Sequence, residues 1–512
     1  MHTVSRWVDS RYSVLAVAVL TFVLRIPGMG RPARPDEAGF LLVARSWNPA
    51  PDSVYGQYFV DRPPLLIAFL RLVDPLGGVL AVRVVGALGC ALTVVLAAWL
   101  GRLIAHRTAG RWAALATAAV ITNTLIDPVA VKGELLALPL VLGSMVAAVL
   151  ALQRRATGSA TGPTTGSGNR SAAGWAALGG LLGMAAVGFK QNLVGGLVFG
   201  GVLLLAAWAT RRLTRREALP LALAALGGAA VPVLATVGWA LAEGVRISTL
   251  SYAVLGFRSD ATAVLAGGGT SAPTARAVLL LGVAVGIGLV LIFAGFLIHI
   301  RGEFRDDPSL TLATAALLLA DLALLVAGGS FWLDYLFGLV PSGALVVALL
   351  ARRGTRRGWR MRVVVSLSAV SSAVSVLVWV GLELAGALSA GPYETGAAIA
   401  VVAEADDTLT VFGGRADIQL ASGLGSPYAH LWSLPMRTLD PQYADLRALL
   451  DSPQAPTWFV PWVGFGSWGN PAGAELLETV RERYVVHGTG CRDRPVLLLR
   501  GVDRAPLQAS CP

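Results

Sequence analysis

Long apolar stretches recur along this chain from Leu15 to Leu388, and they limit what it can fold into. Most of them approach or exceed the roughly 20 residues that an α-helix needs to cross a bilayer. Hydrophobic residues make up 55% of the 512 residues and charged residues 14%, whereas soluble proteins carry about 25% charged residues. A soluble multidomain protein is therefore excluded for most of the sequence. The pattern predicts an α-helical polytopic membrane protein.

The apolar stretches predict eleven transmembrane helices. The first follows Arg6 and Arg11 and has no small-residue cleavage site, so we expect it to be retained and not removed as a signal peptide. The predicted spans are 13–29, 77–100, 112–128, 133–152, 173–189, 192–210, 218–242, 276–300, 309–328, 334–351 and 363–389.

Arginine supplies most of the positive charge behind the formal net charge of +11, and it clusters in short turns between the spans. Because cytoplasmic loops are enriched in Lys and Arg, these clusters predict a cytoplasmic N-terminus in the cell (plasma or inner) membrane. The odd number of spans then places the C-terminal segment outside the cytoplasm. The charge thus indicates topology and not nucleic-acid binding. The clusters are Arg102, Arg107 and Arg111; Arg154 and Arg155; Arg211, Arg212, Arg215 and Arg216; Arg301 and Arg305; and Arg352, Arg353, Arg356, Arg357, Arg360 and Arg362.

Two segments on the predicted outer side are longer than simple connectors. The first outer loop, residues 30–76, has helical apolar spacing at 36–47 and 64–72, which predicts amphipathic helices along the membrane interface. Residues 390–512 have a soluble composition and predict a small extracytoplasmic α/β domain, which follows a transmembrane catalytic domain of residues 1–389. Its predicted elements are strands at Thr408–Phe412, Trp458–Val460 and Val496–Leu499 and a helix at Ala474–Tyr484.

Residues that commonly bind metals or form cross-links are sparse. The five histidines show no ligand-like spacing, which predicts no zinc site. Cys491 and Cys511 lie in the C-terminal segment, where a disulfide and two free thiols remain alternatives.

Two further stretches have an unusual composition. The aromatic run at 461–469 has two interpretations, a loop that stacks on a glycan or faces the membrane and ordinary packing. The Ala-Thr-Gly-Ser-rich stretch 156–172 predicts a flexible cytoplasmic linker.

The first outer loop contains two short motifs with charged residues, RPDEAGF at 34–40 and YFVDRPPLL at 58–66. Adjacent acids after a proline suit the start of a helix, where carboxylates are favoured. The same acids, Asp36 and Glu37, offer a general base at the membrane surface. Arg62 suits a lipid phosphate, or it is an interfacial arginine that extends towards water beside a helix start. The residues alone leave both interpretations of each motif open.

The chain has one span before this loop, many spans after it and a soluble tail. Together with the two motifs, this order resembles the GT-C glycosyltransferases. It is most similar to the branch of the protein O-mannosyltransferases and the lipid A aminoarabinose transferase. The resemblance covers roughly residues 10–350, with its specificity in the first outer loop. It implies that Asp36 is the general base with Glu37 beside it. It also implies that Arg62 contacts the phosphate of a polyprenyl-phosphate sugar, supported by Asp61 and Tyr58.

Some residues outside this loop match the family pattern, and two residues of the chain depart from it. Glu134 matches an acid at the start of the fourth span, and Lys190 matches a basic residue after the fifth, which implies contact with the donor phosphate. Lys132 and Lys190 are the two lysines of the chain, and both lie at predicted outer turns. Gly39 stands where aminoarabinose transferases carry a basic residue, and Asp334 stands where relatives commonly show histidine.

The resemblance implies an enzyme that moves a sugar from a polyprenyl-phosphate donor to a lipid, glycan or protein of the cell envelope, with inversion. A carboxylate deprotonates the acceptor hydroxyl, and cations stabilise the departing phosphate. No cofactor or metal is expected, and the sequence contains neither a P-loop motif nor a strand-anchored GxGxxG. A multi-pass transporter or lipid flippase and a non-catalytic scaffold remain alternatives. Asp321, inside the ninth span, suits a functional acid and helix–helix hydrogen bonding equally.

Overall fold

The computed structural model of the chain describes residues 12–127, 129–160, 166–267, 271–351, 356–388 and 391–511. Arg6, Arg11, Arg352, Arg353 and the middle of the predicted 156–172 linker lie outside these residues. The two flanks of that linker belong to helices Gly133–Ala160 and Gly166–Phe189, so the prediction of a flexible linker is wrong there.

The α-helices are Ser13–Val23, Ile26–Met29, Pro35–Arg45, Pro64–Val73, Gly78–Ile104, Arg107–Ile121, Gly133–Ala160, Gly166–Phe189, Gly195–Ala209, Arg215–Ala242, Ile247–Ser251, Phe257–Gly267, Ser271–Gly286, Leu289–Asp306, Pro308–Ala327, Val340–Leu350, Arg356–Leu384, Gly391–Val402, Ala416–Ser422, Ser433–Leu439, Ala444–Asp451 and Gly473–Arg483.

The predicted polytopic helical architecture is confirmed, whereas the predicted number of spans is not. Among the described residues, seven helices are long and apolar enough to cross a membrane, or eight if one bent pair counts as a span. Ser13–Met29 and Gly195–Ala209 are apolar but shorter. The predicted span 112–128 is a helix of 15 residues, Arg107–Ile121. Beyond it the chain leaves the helical path, where Thr124 donates its backbone N–H and its hydroxyl to Ser375.

The predicted span 276–300 is wrong as a single straight helix. Ala272–Gly286 and Leu289–Asp306 meet at an angle of 73°. Gly288 between them has a φ of +85°, a conformation that residues with a side chain rarely adopt. A Cβ at this position would also collide with the hydroxyl oxygen of Ser368. Hydropathy is continuous across the break, so a hydropathy window does not detect it.

The chain divides into two compact units, each built from separated segments. The first unit combines the chain up to Met29 with Arg83–Gly238 and Pro273–Trp379. The second unit combines Gly30–Val82, Trp239–Ala272 and the chain from Val380 onwards. The first outer loop therefore belongs to the same unit as the C-terminal segment. A domain boundary at residue 389 and the orientation across the membrane stay predictions.

Helices of the first unit approach one another through small residues. Gly133–Ala160 packs along Gly166–Phe189, and Ser144 donates its hydroxyl to the carbonyl of Gly179 at 2.7 Å. A Cβ at Gly180 would overlap the carbonyl oxygen of Ala225. Small residues with hydroxyl-to-backbone bonds are typical of helix packing in membranes.

The two helices predicted in the first outer loop are present in the second unit. They are Pro35–Arg45 and Pro64–Val73, and each begins with a proline in its first turn. Proline is favoured there because the first N–H groups of a helix have no partner within it. Their position at the membrane interface stays a prediction.

The C-terminal segment contains the predicted small α/β fold, with one strand more than expected. Its sheet has the order β1–β2–β4–β3, in which β1 and β2 are parallel and β4 is antiparallel to both neighbours. The unpredicted strand is β3. It begins at Tyr484, the residue at which the sequence predicts the end of the preceding helix. Val485 and Val486 are adjacent and both exposed, so β3 lacks the alternation that reveals a half-buried strand. The strands are β1 Leu409–Phe412, β2 Trp458–Pro461, β3 Tyr484–Gly490 and β4 Arg494–Leu499.

The aromatic run at 461–469 contributes to the core beside this sheet. Phe465 lies 5.2 Å from Phe412 between ring centroids and stacks on Phe459 at 6.3 Å. Trp468 packs on the same cluster. These contacts favour the packing interpretation of the run.

Cys491 and Cys511 form a disulfide in the structure. Because it closes a segment of 20 residues, replacing both cysteines with serine should lower the free energy of unfolding by about 3 kcal/mol. Peptide mapping without reductant should recover the two cysteines in one linked peptide, which reductant separates. Thermal unfolding of the double serine variant should show the loss of stability. Cys90→Ala, which removes the buried cysteine of a membrane helix, should leave the linked peptide intact. Alkylation of both thiols without reductant would refute the disulfide.

Candidate active site

The acidic pair lies at the start of helix Pro35–Arg45, as the motif predicts. The backbone N–H of Arg34 donates to Glu37 Oε2 at 3.0 Å, which is the glutamate half of a capping box. Glu37 is buried at 3% exposure, whereas Asp36 is half-buried. The helix-capping interpretation thus describes Glu37, and Asp36 is the more accessible acid.

Asp36 receives a hydrogen bond from a residue far along the chain. The indole N–H of Trp432 donates to Asp36 Oδ1 at 3.0 Å. The Trp432 ring also lies 5.5 Å from Phe40 between centroids. A Cβ on Gly39 would overlap the Trp432 ring. The departure from the family pattern at position 39 therefore has a steric reason, because an indole fills that space.

Two guanidinium groups share one buried carboxylate in the same unit. Asp61, 8% exposed, accepts Arg62 Nη1 on Oδ1 at 2.7 Å and pairs with Arg258 Nη2 through Oδ2 at 2.6 Å. Arg62 also lies over the ring of Phe40 at 5.6 Å, in cation–π geometry. The structure thus joins Asp61 and Arg62 as the motif suggests, and it adds a second arginine.

Sequence reasoning missed Arg258, which lies on helix Phe257–Gly267. In the predicted topology this segment follows the seventh span on the outer side. Its position on the same predicted side as the two motifs of the first outer loop was the available signal.

Tyr58 has a structural place in this unit. Its hydroxyl oxygen accepts the backbone N–H of Ser426 at 2.9 Å, and the N–H of Phe59 donates to the carbonyl of Ala429 at 3.0 Å. Burial raises the pKa of the Tyr58 phenol, which stays neutral near pH 7. The residue fixes the motif-bearing loop against the segment that leads to Trp432.

The remaining predicted residues gather in the first unit as two ion pairs. Lys190 pairs with Glu134, and both side chains are nearly fully buried at 6% and 5% exposure. The Lys190 ammonium lies 4.6 Å from the centre of the Tyr335 ring. Lys132 lies 3.3 Å from Asp334. Both lysines of the chain are therefore neutralised by acids of their own unit.

A cavity of about 20 Å³ lies beside the buried pair, which is room for about one water molecule and too little for a sugar. Asp321 reaches it from helix Pro308–Ala327 and accepts the hydroxyl of Ser342 on the next helix. This contact is the helix–helix hydrogen bond that was one of the two interpretations of Asp321. The lining residues are Glu134, Lys190, Asn192, Leu193, Asp321, Leu324, Leu325, Tyr335 and Gly338.

Within the described ranges, no three His, Cys, Asp or Glu side chains are placed to hold a metal ion. The side chains that the second unit brings together are the carboxylate of Asp36 at a helix start and the guanidinium groups of Arg62 and Arg258 on Asp61. A carboxylate accepts a proton, and guanidinium groups bind phosphate oxygens through charge-assisted hydrogen bonds.

Comparison with known proteins identifies the fold. No protein-family model matches the chain, and no curated protein sequence matches it. ArnT from Cupriavidus metallidurans, solved with bound undecaprenyl phosphate, matches with a TM-score of 0.61 at 14% identity, over 95% of this chain and 97% of that one. Its apo state matches with a TM-score of 0.59, at the same identity and over 95% and 96% of the chains. The oligosaccharyltransferase of Archaeoglobus fulgidus, tethered to an acceptor peptide, matches at 0.51 and 11% identity, over 98% and 74%. These likenesses show that the chain shares the overall fold of ArnT and of the oligosaccharyltransferase, as the resemblance implied.

Proposed function

We propose that this chain is an integral membrane glycosyltransferase that transfers a sugar from a polyprenyl-phosphate donor to a cell-envelope acceptor, with inversion. The observation that carries the proposal is the arrangement in the second unit. It holds a carboxylate, Asp36, at a helix start and two guanidinium groups, Arg62 and Arg258, on one buried carboxylate. Support also comes from the fold shared with ArnT, whose structure contains undecaprenyl phosphate.

The proposed reaction uses Asp36 as the general base. Its carboxylate takes the proton of an acceptor hydroxyl while that oxygen forms a bond to the anomeric carbon of the sugar. The bond from this carbon to the phosphate oxygen breaks, and the polyprenyl phosphate leaves with the electron pair. Attack and departure on opposite sides of the carbon give inversion. Arg62 and Arg258 stabilise the negative charge that grows on the phosphate.

The charge of the arginine group suits such a donor. One carboxylate and two guanidiniums, those of Asp61, Arg62 and Arg258, sum to a single positive charge. A sugar phosphodiester carries a single negative charge. Asp61 thus orients both arginines and keeps the group from carrying excess positive charge when no donor is bound.

The resemblance also implies that Lys190 contacts the donor phosphate and that Lys132, Glu134 and Asp334 support the site. In the structure these four residues form two ion pairs within the first unit. Their roles towards the donor stay predictions, which variants of Lys190 and Glu134 test.

The bent helix pair is the one observation that favours a lipid flippase or transporter, because such proteins often use broken helices. Its break at Ile287 and Gly288 offers a substrate no charged side chain. Translocation of a labelled polyprenyl phosphate across vesicles that contain the pure protein, with no sugar transfer, would support this second candidate.

Charge-neutral variants of the arginines test the proposal directly. Arg62→Gln and Arg258→Gln should each lower kcat/KM for the donor about 10–100-fold, because each removes a charge-assisted hydrogen bond to phosphate. Arg71→Gln is the matched control, since Arg71 is exposed and contacts Trp47, and it should keep wild-type kcat/KM. The measurement is transfer of labelled sugar from a panel of polyprenyl-phosphate hexoses and pentoses to envelope extracts in nanodiscs. No transfer from any donor would reject the proposed function.

A further inference from the structure

We infer that Trp432 is a positioning residue for Asp36, which orients the carboxylate and stabilises its ionised form. The catalytic consequence of this inference rests on the proposed function. The hydrogen bond itself does not, because it can be measured in a protein of any activity. Asp36 and Trp432 lie in the same compact unit.

Trp432 is fixed on both its backbone and its ring. It is the residue before helix Ser433–Leu439, and its carbonyl accepts the N–H of Met436 at 3.2 Å. Its ring occupies the space above Gly39, where a Cβ would overlap it. The indole N–H that donates to Asp36 at 3.0 Å is therefore held in place and does not depend on a mobile side chain.

A chain of ring contacts connects the proposed base with a proposed phosphate ligand. Phe40 lies 5.5 Å from Trp432 on one side and 5.6 Å from the guanidinium of Arg62 on the other. Asp36 and Phe40 are four residues apart, so they lie on neighbouring turns of one helix face. Trp432 thus contacts Phe40, whose ring also contacts the guanidinium of Arg62.

The chemistry of indole suits this position. An indole N–H donates one hydrogen bond and does not titrate. A donor to the charged form of a carboxylate favours that form and lowers its pKa. Trp432 therefore stabilises the base without adding a cation beside the arginine group, as a basic side chain at position 39 would.

Trp432→Phe removes this donor and keeps an aromatic ring. The acidic limb of the pH profile of kcat should move up by about 0.5–1 pH unit, because one lost hydrogen bond to a carboxylate raises its pKa by this order. At a fixed pH on that limb, below the apparent pKa, we expect kcat to fall about 3–10-fold, with the KM for the donor unchanged. Trp458→Phe is the matched control, since the Trp458 indole donates to Asp407 at 2.9 Å. It should lower thermal stability and leave the acidic limb in place.

A measurement on the carboxylate itself separates this inference from the proposed function. Carbodiimide reacts with protonated carboxyl groups, so the pH dependence of Asp36 labelling, read by mass spectrometry of full-length protein in nanodiscs, reports its pKa. The labelling midpoint should be higher in Trp432→Phe than in wild type and unchanged in Trp458→Phe.

A second variant approaches the same contact from the other side. Gly39→Ala introduces a Cβ that overlaps the Trp432 ring and should displace it, which reproduces the shift of the midpoint. The double variant Gly39→Ala/Trp432→Phe should shift it no further than the larger single change, because both act on one hydrogen bond. Equal midpoints in wild type and in a folded Trp432→Phe would overturn the inference, whatever the transferase activity. A shifted midpoint with no sugar transfer would uphold the hydrogen bond and reject the proposed function.

Discussion

Asp36→Asn is expected to slow sugar transfer about 10²–10⁴-fold, the range that a general base contributes, without loss of the fold. The side-chain oxygen of asparagine can still accept the N–H of Trp432, so the contact at 3.0 Å is kept. Asparagine is also tolerated in the first turn of a helix. The amide cannot take up a proton, so the chemical step loses its base. Single-turnover transfer with saturating donor measures the effect.

Two control variants define this result. Asp52→Asn makes the same change at an exposed acid of the same loop, and it should transfer at the wild-type rate. Glu37→Ala should mainly lower stability, by about 0.5–2 kcal/mol, because it removes the carboxylate that accepts the N–H of Arg34 at the helix start. A folded Asp36→Asn protein with near-normal turnover would show that another group is the base.

Lys190→Met is expected to destabilise the protein by about 3–5 kcal/mol, because it removes one partner of a buried ion pair. Glu134, at 5% side-chain exposure, loses its lysine in a position that is almost fully buried. The double variant Lys190→Met/Glu134→Gln should recover most of this stability, since it removes the second charge as well. Thermal unfolding in nanodiscs measures both changes.

An exposed ion pair provides the comparison. Arg45→Met breaks the pair with Asp74, in which Arg45 is 47% exposed, and should cost less than about 1 kcal/mol. The double variant also tests the proposed role of Lys190. If it is stable and transfers sugar with a wild-type KM for the donor, Lys190 is structural and its assignment to the donor phosphate is wrong. A stable double variant with a raised KM would support that assignment.

The local features of the proposed site could be predicted from the sequence. The acids after Pro35 predicted a helix start, and the helix begins there. Asp61 and Arg62 are adjacent, so their ion pair needs no long-range information. Apolar runs of sufficient length predicted most of the membrane helices, because whether a helix can cross a bilayer depends on its length and composition alone.

What the sequence did not indicate depends on distant residues or on single backbone angles. The Trp432 hydrogen bond follows from tertiary packing, and nothing near Trp432 in the sequence marks it as a partner of Asp36. The same holds for Arg258 and Asp61. The bend at Gly288 depends on one left-handed φ, which leaves the average hydropathy of the segment unchanged. The catalytic roles of all these residues stay predictions.

The Asp36–Trp432 hydrogen bond joins residues 396 positions apart, which has a consequence for biosynthesis. Ribosomes add about 5–20 residues per second, so Trp432 emerges roughly 20–80 s after Asp36. During that interval the nascent first loop lacks the partners that Ser426, Ala429 and Trp432 later supply. The proposed active site is thus completed only after Trp432 has been synthesised, and a chain stalled before Trp432 would already carry Asp36 and Arg62 without the group that orients the base.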